Sequence, residues 1–161
     1  MVKIALKIKA TLQSIDEVKP SGQDFRWYLK FTCSSCGEKS EKWNYASLSE
    51  STPLQKRNAV THFTSKCKLC SRENSMSILE DTVKSYKIEK EGEFQTIVVF
   101  DCRGFEPNDF SPRDGWIAKT ENHGTTFTDV DLSEGEWSNY CVKTKQVVGI
   151  YEVEHKFERV K

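Results

Sequence analysis

Two short segments, "CSSC" at 33–36 and "CKLC" at 67–70, limit what this chain can fold into more than any other feature. Each holds two thiols two residues apart, and together they read C-x2-C-x30-C-x2-C. A CxxC turn brings two sulfurs to one side of a metal and leaves backbone N–H groups to bond the thiolates. Two such turns supply all four corners of a tetrahedral zinc site, with Zn–S near ~2.3 Å. Gly37, directly after Cys36, suits such a turn because glycine takes positive φ without a steric penalty. The gap between the pairs exceeds the ~15–20 residues usual for ribbon-type sites, but loop-closure entropy rises only slowly with length. Cys33, Cys36, Cys67 and Cys70 are therefore the expected ligands of one zinc ion per chain. Four cysteines leave no coordination position open for water, so the metal is expected to hold the fold rather than to catalyse.

Other uses of four thiols stay open. Cu(I) or an iron–sulfur cluster also suits thiolate ligands. Two independent redox dithiols would each require a thioredoxin-like βαβ setting, and no helix-period segment follows either pair.

The 161 residues favour one compact domain, 1–161, able to bury roughly 70% of its unfolded surface. Lys and Arg number 24 and so do Asp and Glu, giving a net charge of zero. A general nucleic-acid binder shows a basic excess or stripe, so nucleic acid is not the favoured partner, although a local patch is compatible with the balance. Lys3, Lys7 and Lys9 interrupt the apolar run of "MVKIALKIKATL", unlike a secretory signal. No run reaches the ~18 apolar residues of a membrane helix, and "HKFERVK" carries no lipidation box. The expectation is a cytoplasmic protein, with the nucleus as a second compartment, and no membrane partner. Thiols stay reduced there, which favours metal over disulfides.

Period-two patterning dominates the chain. In "VKIALKIKATLQSI" (2–15), Ile4, Leu6, Ile8, Ala10 and Leu12 share one face of a long half-buried strand. "VKPSGQD" (18–24) is a turn cluster. "FRWYLKFTC" (25–33) alternates Phe25, Trp27, Leu29 and Phe31 and runs as a strand into the first cysteine pair. Further strands are expected at 41–48, 75–81, 94–102, 125–132 and 147–160. In the last of these, Ile150, Glu152, Glu154 and Lys156 alternate against Tyr151, Val153, His155 and Phe157. Residues 49–65 read as a loop with room for one helical turn, 86–93 as a charged connection, and 104–116, with two prolines and two glycines, as a loop. "SEGEWSNYC" (133–141) reads as a short helix behind a Ser cap, weakened by Gly135. The fold class is mostly β. "FRWYLKFTC" also lies over "FQTIVVFDC", matching Phe25 to Phe94, Leu29 to Val98, Phe31 to Phe100 and Cys33 to Cys102. That match fits two duplicated β-sheet halves, 1–86 and 87–161, with the zinc site in the first; it also fits two strands that merely share β propensity.

No other residue carries comparable chemistry. Cys102 and Cys141 read as small buried hydrophobes. A nucleophilic cysteine needs a partnering histidine, and His62, His123 and His155 sit in no recognisable motif. His62, five residues before Cys67, is a weak substitute ligand. Lys66, Lys68 and Arg72 flank the second pair, where cations favour thiolates and can also meet phosphate. Trp116, in a Gly/Pro-rich stretch, could anchor a partner.

The segments "KIALKIKATL", "DFRWYLKFTCSSCGE", "KCKLCSREN", "FDCRGFEP" and "VGIYEVEHKF" resemble the eukaryotic CXXC-motif-containing zinc-binding proteins nearly end to end. The resemblance implies a β-rich fold of two packed, related halves and zinc ligation by Cys33, Cys36, Cys67 and Cys70. It implies no catalytic residues. The chain departs from the family pattern over 51–63 and at Cys141. Together these readings point to a monomeric, non-catalytic, zinc-stabilised module whose partner is another protein. Metal exchange (zinc or copper) and RNA or ribosome association remain as alternatives.

Overall fold

The computed structural model describes residues 2–53, 60–121 and 125–161. Its strands are β1 (Val2–Gln13), β2 (Ile15–Pro20), β3 (Trp27–Cys33), β4 (Asn44–Ala46), β5 (Thr52–Pro53), β6 (Val60–Thr61), β7 (Phe63–Lys66) and β8 (Glu73–Ile78). They continue as β9 (Tyr86–Lys87), β10 (Gln95–Arg103), β11 (Phe105–Ser111), β12 (Trp116–Thr120), β13 (Thr126–Val130), β14 (Trp137–Cys141) and β15 (Gln146–Val160). The helical elements among the described residues include two 3-10 turns, Glu80–Thr82 and Ile88–Lys90. The helical turn allowed for in 49–65 is not found among its described residues, and 54–59 lie outside them. The chain is mostly β, as its period-two patterning implies.

All strand pairs are antiparallel. A six-stranded sheet runs β14-β15-β1-β10-β8-β7, a three-stranded sheet β11-β3-β4, a four-stranded sheet β13-β12-β2-β9, and β5 pairs β6. The three larger sheets each join strands from both sides of residue 86: β1 with β10, β3 with β11, β2 with β12. The core lies between them. Ile4, Leu6, Ile8, Ala10 and Leu12 are all buried, and so are Trp27, Leu29 and Phe31. Phe25, Trp27, Phe100 and Trp116 meet edge to face at its centre.

Five segments differ from their sequence reading. Residues 49–65, read as a loop, hold β5, β6 and most of β7. Residues 104–116 are not a loop: Phe105–Ser111 form β11. Pro107 is tolerated because β11 is an edge strand, and a bulge between Pro107 and Asp109 hides the alternation. Trp116 is fully buried and its indole N–H donates to the Pro112 carbonyl at 2.9 Å, so it is a core residue and not a partner anchor. Residues 133–141 hold no helix; Ser133 instead donates to Asp131, closing a turn before β14. The turn cluster at 18–24 begins only after Pro20, the last residue of β2. Tyr86, read as part of a solvated connection, is buried, with its hydroxyl bonded to the Ala10 backbone.

In β15 the buried face changes phase. Val153, His155 and Phe157 face inward with β1's apolar row, and then Ile150 and Val148 do. The cause is a bulge: Lys9 opposes Glu154, Thr11 opposes Tyr151, and Glu152 takes a φ of 54°. One extra residue on β15 moves the inward positions from odd to even numbers.

Candidate metal centre

The first cysteine pair closes the end of β3, the middle strand of the three-stranded sheet. The second forms the turn of the β7–β8 hairpin at the edge of the six-stranded sheet. The two turns are built alike. In the first, the Cys33 N–H donates to the Glu38 carbonyl (2.8 Å), and the Gly37 N–H to the Cys33 carbonyl (2.8 Å). In the second, the Cys67 N–H donates to Arg72 (2.9 Å), and the Ser71 N–H to Cys67 (2.9 Å). The flanking strand pairs match too, Thr32 opposite Lys39 and Lys66 opposite Glu73. Gly37 and Ser71 both take positive φ, 79° and 61°.

The four sulfurs meet. Cys33 Sγ lies 3.8 Å from Cys70 Sγ, and Cys36 Sγ 3.6 Å from Cys67 Sγ. All four lie within 4.8 Å of one another. Sulfurs about 2.3 Å from a tetrahedron's centre stand about 3.8 Å apart. A disulfide needs ~2.05 Å, so this is a ligand cage and not a pair of bridges. Among the described residues, these four form the only group of three or more potential metal-ligating side chains (His, Cys, Asp or Glu) placed to hold an ion. Cys33 is buried, Cys67 half-buried, and Cys36 and Cys70 are exposed.

The local electrostatics favour thiolate at the first cysteine of each turn. The N–H groups of Cys36 and Ser35 hold Cys33 down at about 6. Those of Cys70 and Leu69 lower Cys67 in the same way. At Cys36 the Glu38 N–H pulls downward, but burial and the neighbouring thiols Cys67, Cys33 and Cys70 prevail and push it up to about 12. Four thiols this close cannot all ionise without a compensating cation, which is what a divalent zinc supplies.

Two residues not anticipated from the sequence support the cage. Asn74, on β8, is buried with its side-chain nitrogen 3.9 Å from Cys33 Sγ. Turned over, that amide donates at 3.2 Å to the carbonyls of Glu73 and Gly104 instead. Either way it fills the space behind the sulfur. Gly104 accepts a hydrogen bond from the Ser34 N–H at 2.9 Å and has φ +84°. A Cβ there would stand 2.1 Å from Asn74 Oδ1. Below, Phe31, Phe63 and Phe105 stack face to face and tie β3, β7 and β11 together. A cleft of about 420 Å³ opens beside Cys33 and Cys67, walled by Lys39, Lys42, Lys66 and Lys68 together with Glu38 and Glu41.

The remaining candidates lie elsewhere. His62 Nδ1 accepts from the Ile78 N–H at 2.8 Å and does not join the cage. Cys102 is buried, and its thiol is pushed up to about 12 by burial and then by Asp101 and Glu106. Cys141 is buried 3.3 Å from the Thr125 hydroxyl, and the hydroxyls of Thr125 and Thr144 lower it to about 7. His155 stands 3.4 Å from Asp109. His123 lies outside the described residues.

A β protein that offers four thiols at tetrahedral spacing from two matching hairpin turns has the architecture of a zinc-binding protein. The chain belongs to the eukaryotic family of CXXC motif containing zinc binding proteins, whose model matches residues 5–158. It is 50% identical to the CXXC motif containing zinc binding protein of Rattus norvegicus and 49% identical to that of Homo sapiens, over 98% of each chain. The solved structure of C1orf123 superposes with a TM-score of 0.95 at 48% identity, over 98% of this chain and 99% of that one. A hypothetical protein from Plasmodium falciparum shares the fold, with a TM-score of 0.89 at 20% identity over 98% of this chain and 100% of that one.

Proposed function

We propose that this protein is a non-catalytic, cytoplasmic interaction module, monomeric by itself, whose single zinc is structural. The observation that carries the reading is the convergence of four sulfurs from two different sheets to within 4.8 Å. Such a cage is closed to water and substrate, and its binding free energy is folding free energy. Cys102, buried and with a raised pKa, makes a poor nucleophile. A partner protein has an anchor available in Leu69, which is 66% exposed at the tip of the second turn, beside the charged cleft. The test is twofold. Zinc analysis should return one ion per chain, and a chelator should unfold the protein as it removes the metal. Leu69→Asp should then lose partners captured from cell extract while keeping its zinc. Equal capture by the variant refutes the anchor.

Metal exchange is a second reading, favoured by the exposure of Cys36 and Cys70 on the outer side of the cage. It requires that a mild chelator strip the metal reversibly with the fold intact.

A further inference from the structure

The outer face of the three-stranded sheet breaks the usual rule for an antiparallel sheet. Its inner face carries Trp27, Leu29, Phe31, Phe105 and Phe110, all buried. The other face of such a sheet normally turns polar residues to water. Here it holds three aromatic rings, Tyr28, Trp43 and Tyr45, each half-buried. The register explains their meeting: Tyr28 lies opposite Tyr45 on β4 and opposite Ser111 on β11. Trp43 and Arg113, just outside β4 and β11, join the same face through their cation–ring contacts with Lys30 and Tyr28.

Three cations interleave with the rings. The Arg113 guanidinium lies 3.9 Å from the Tyr28 centroid and 5.8 Å from that of Trp43. Arg26 lies 4.5 Å from Tyr45, and Lys30 4.8 Å from Trp43. The Tyr28 and Tyr45 centroids are 5.7 Å apart. Arg113 holds a left-handed backbone, φ 50°, and its carbonyl accepts from the Leu132 N–H at 2.8 Å.

On the outer face of the six-stranded sheet, cations also meet carboxylates, Lys7 with Glu158 and Lys9 with Glu154, while Lys9 and Lys156 lie over the single ring of Phe94. Among the described residues, no salt bridge joins Arg26, Lys30 or Arg113 to a carboxylate. The nearby acids have other partners. Glu50 accepts from the Tyr45 hydroxyl and from Ser47, and Asp109 accepts from the Phe110 N–H and faces His155. The face therefore gathers three cations beside two carboxylates, Glu50, whose charge acts on Arg26, and Asp109, which lies opposite Lys30.

We propose that this face binds single-stranded nucleic acid, with Tyr28, Trp43 and Tyr45 as stacking surfaces and Arg26, Lys30 and Arg113 as phosphate contacts. Single strands need both parts at once, a cationic track for the backbone and planar groups on which unpaired bases stack. Arg113 over Tyr28 presents a guanidinium plane, which stacks bases as a ring does. An acidic protein segment would use the cations but leave three solvent-side aromatics without a role. A duplex keeps its bases inside and offers nothing to stack.

The test is fluorescence anisotropy of a labelled oligouridylate and the matching oligodeoxythymidylate at low and at physiological salt. Binding to one or both strands, falling with salt, is expected, and the stronger strand identifies the nucleic acid. Tyr28→Ala and Tyr45→Ala should each weaken it about tenfold, with zinc content and circular dichroism unchanged. Arg26→Ala alters an exposed side chain and serves where a ring variant fails to fold; it should weaken binding and flatten the salt dependence. Lys66→Glu with Lys68→Glu, on the second cysteine turn, should leave binding in place. Absence of single-strand binding at low salt overturns the proposal, as does equal affinity for a duplex or undiminished binding by the folded ring and Arg26 variants. Preference for polyglutamate over both oligonucleotides also overturns it, in favour of an acidic protein partner.

Discussion

The two cysteine turns have the same backbone and different side chains. Each closes with a hydrogen bond from the N–H four residues beyond its first cysteine, and each turns there through positive φ. In the first turn that residue is Gly37, which adopts the conformation freely. In the second it is Ser71, for which the left-handed region costs about 1–2 kcal/mol. The first turn is further braced by Gly104 through Ser34. The second stands at a sheet edge with Leu69 exposed. The backbone hydrogen bonds and the shared cation thus impose one geometry on two unequal sequences. The first turn is preorganised; the second is held in place by its hairpin and by the metal.

The largest effects should fall on both turns alike, because each contributes half the cage. Cys33→Ser and Cys67→Ser should both lose zinc and forfeit on the order of 5 kcal/mol of stability, measured by elemental analysis and chemical denaturation. Cys141→Ser should keep its zinc and lose about 1 kcal/mol, since the Thr125 hydroxyl beside it can bond a serine. Similar losses for a ligand and for Cys141 would break the claim that the cage holds the fold.

Acid should act through the first cysteine of each turn. Cys33 is depressed to about 6 and Cys67 is lowered from 9.0. A depressed folded pKa adds stability that is complete above the unfolded value and fades as pH falls through the folded one. Protons also compete directly with zinc for sulfur. Bound zinc holds the thiolates deprotonated below their metal-free values, so zinc should stay bound at neutral pH and be lost only on acidification below about pH 6, as read by zinc content after dialysis at stepped pH. Zinc release that shows no dependence on pH would contradict thiolate ligation.

The brace behind the first turn comes next. Gly104→Ala places a methyl group on the Asn74 amide and strains a positive φ, and should cost about 3 kcal/mol. An unchanged melting midpoint would remove Gly104 and Asn74 from the support of Cys33.

The smallest effects sharpen the comparison most, because they should differ in sign. Gly37→Ala has open space around it, so only the backbone penalty of about 1–2 kcal/mol applies. Ser71→Gly should instead stabilise by about 0.5 kcal/mol, the relief of strain being partly offset by a freer unfolded chain. Equal and opposite denaturation shifts are not required, but two shifts of the same sign would show that the turns do not share a conformation.

Much of this was legible along the chain. The period-two runs of β1 and β3 placed Leu6, Ile8, Trp27 and Leu29 inside, because alternation in an antiparallel strand maps directly onto faces. The four ligands were legible because CxxC spacing is local chemistry. β11 was missed because an edge position and a bulge let proline and polar residues occupy a strand. The inward position of Ile150 was missed because the bulge at Glu152 depends on pairing with β1. Asn74 and Gly104 were invisible as site residues because no local pattern marks a residue that lies behind a ligand from another strand.

The sequence by itself determined which atoms can grip the metal and which strands alternate, since both follow from side chains within a few residues of one another. The tertiary structure alone decided that the two turns face each other from different sheets, that Asn74 stands behind Cys33, and that Arg113 lies over Tyr28. Those meetings depend on strand register and sheet packing, which are settled by the whole core at once.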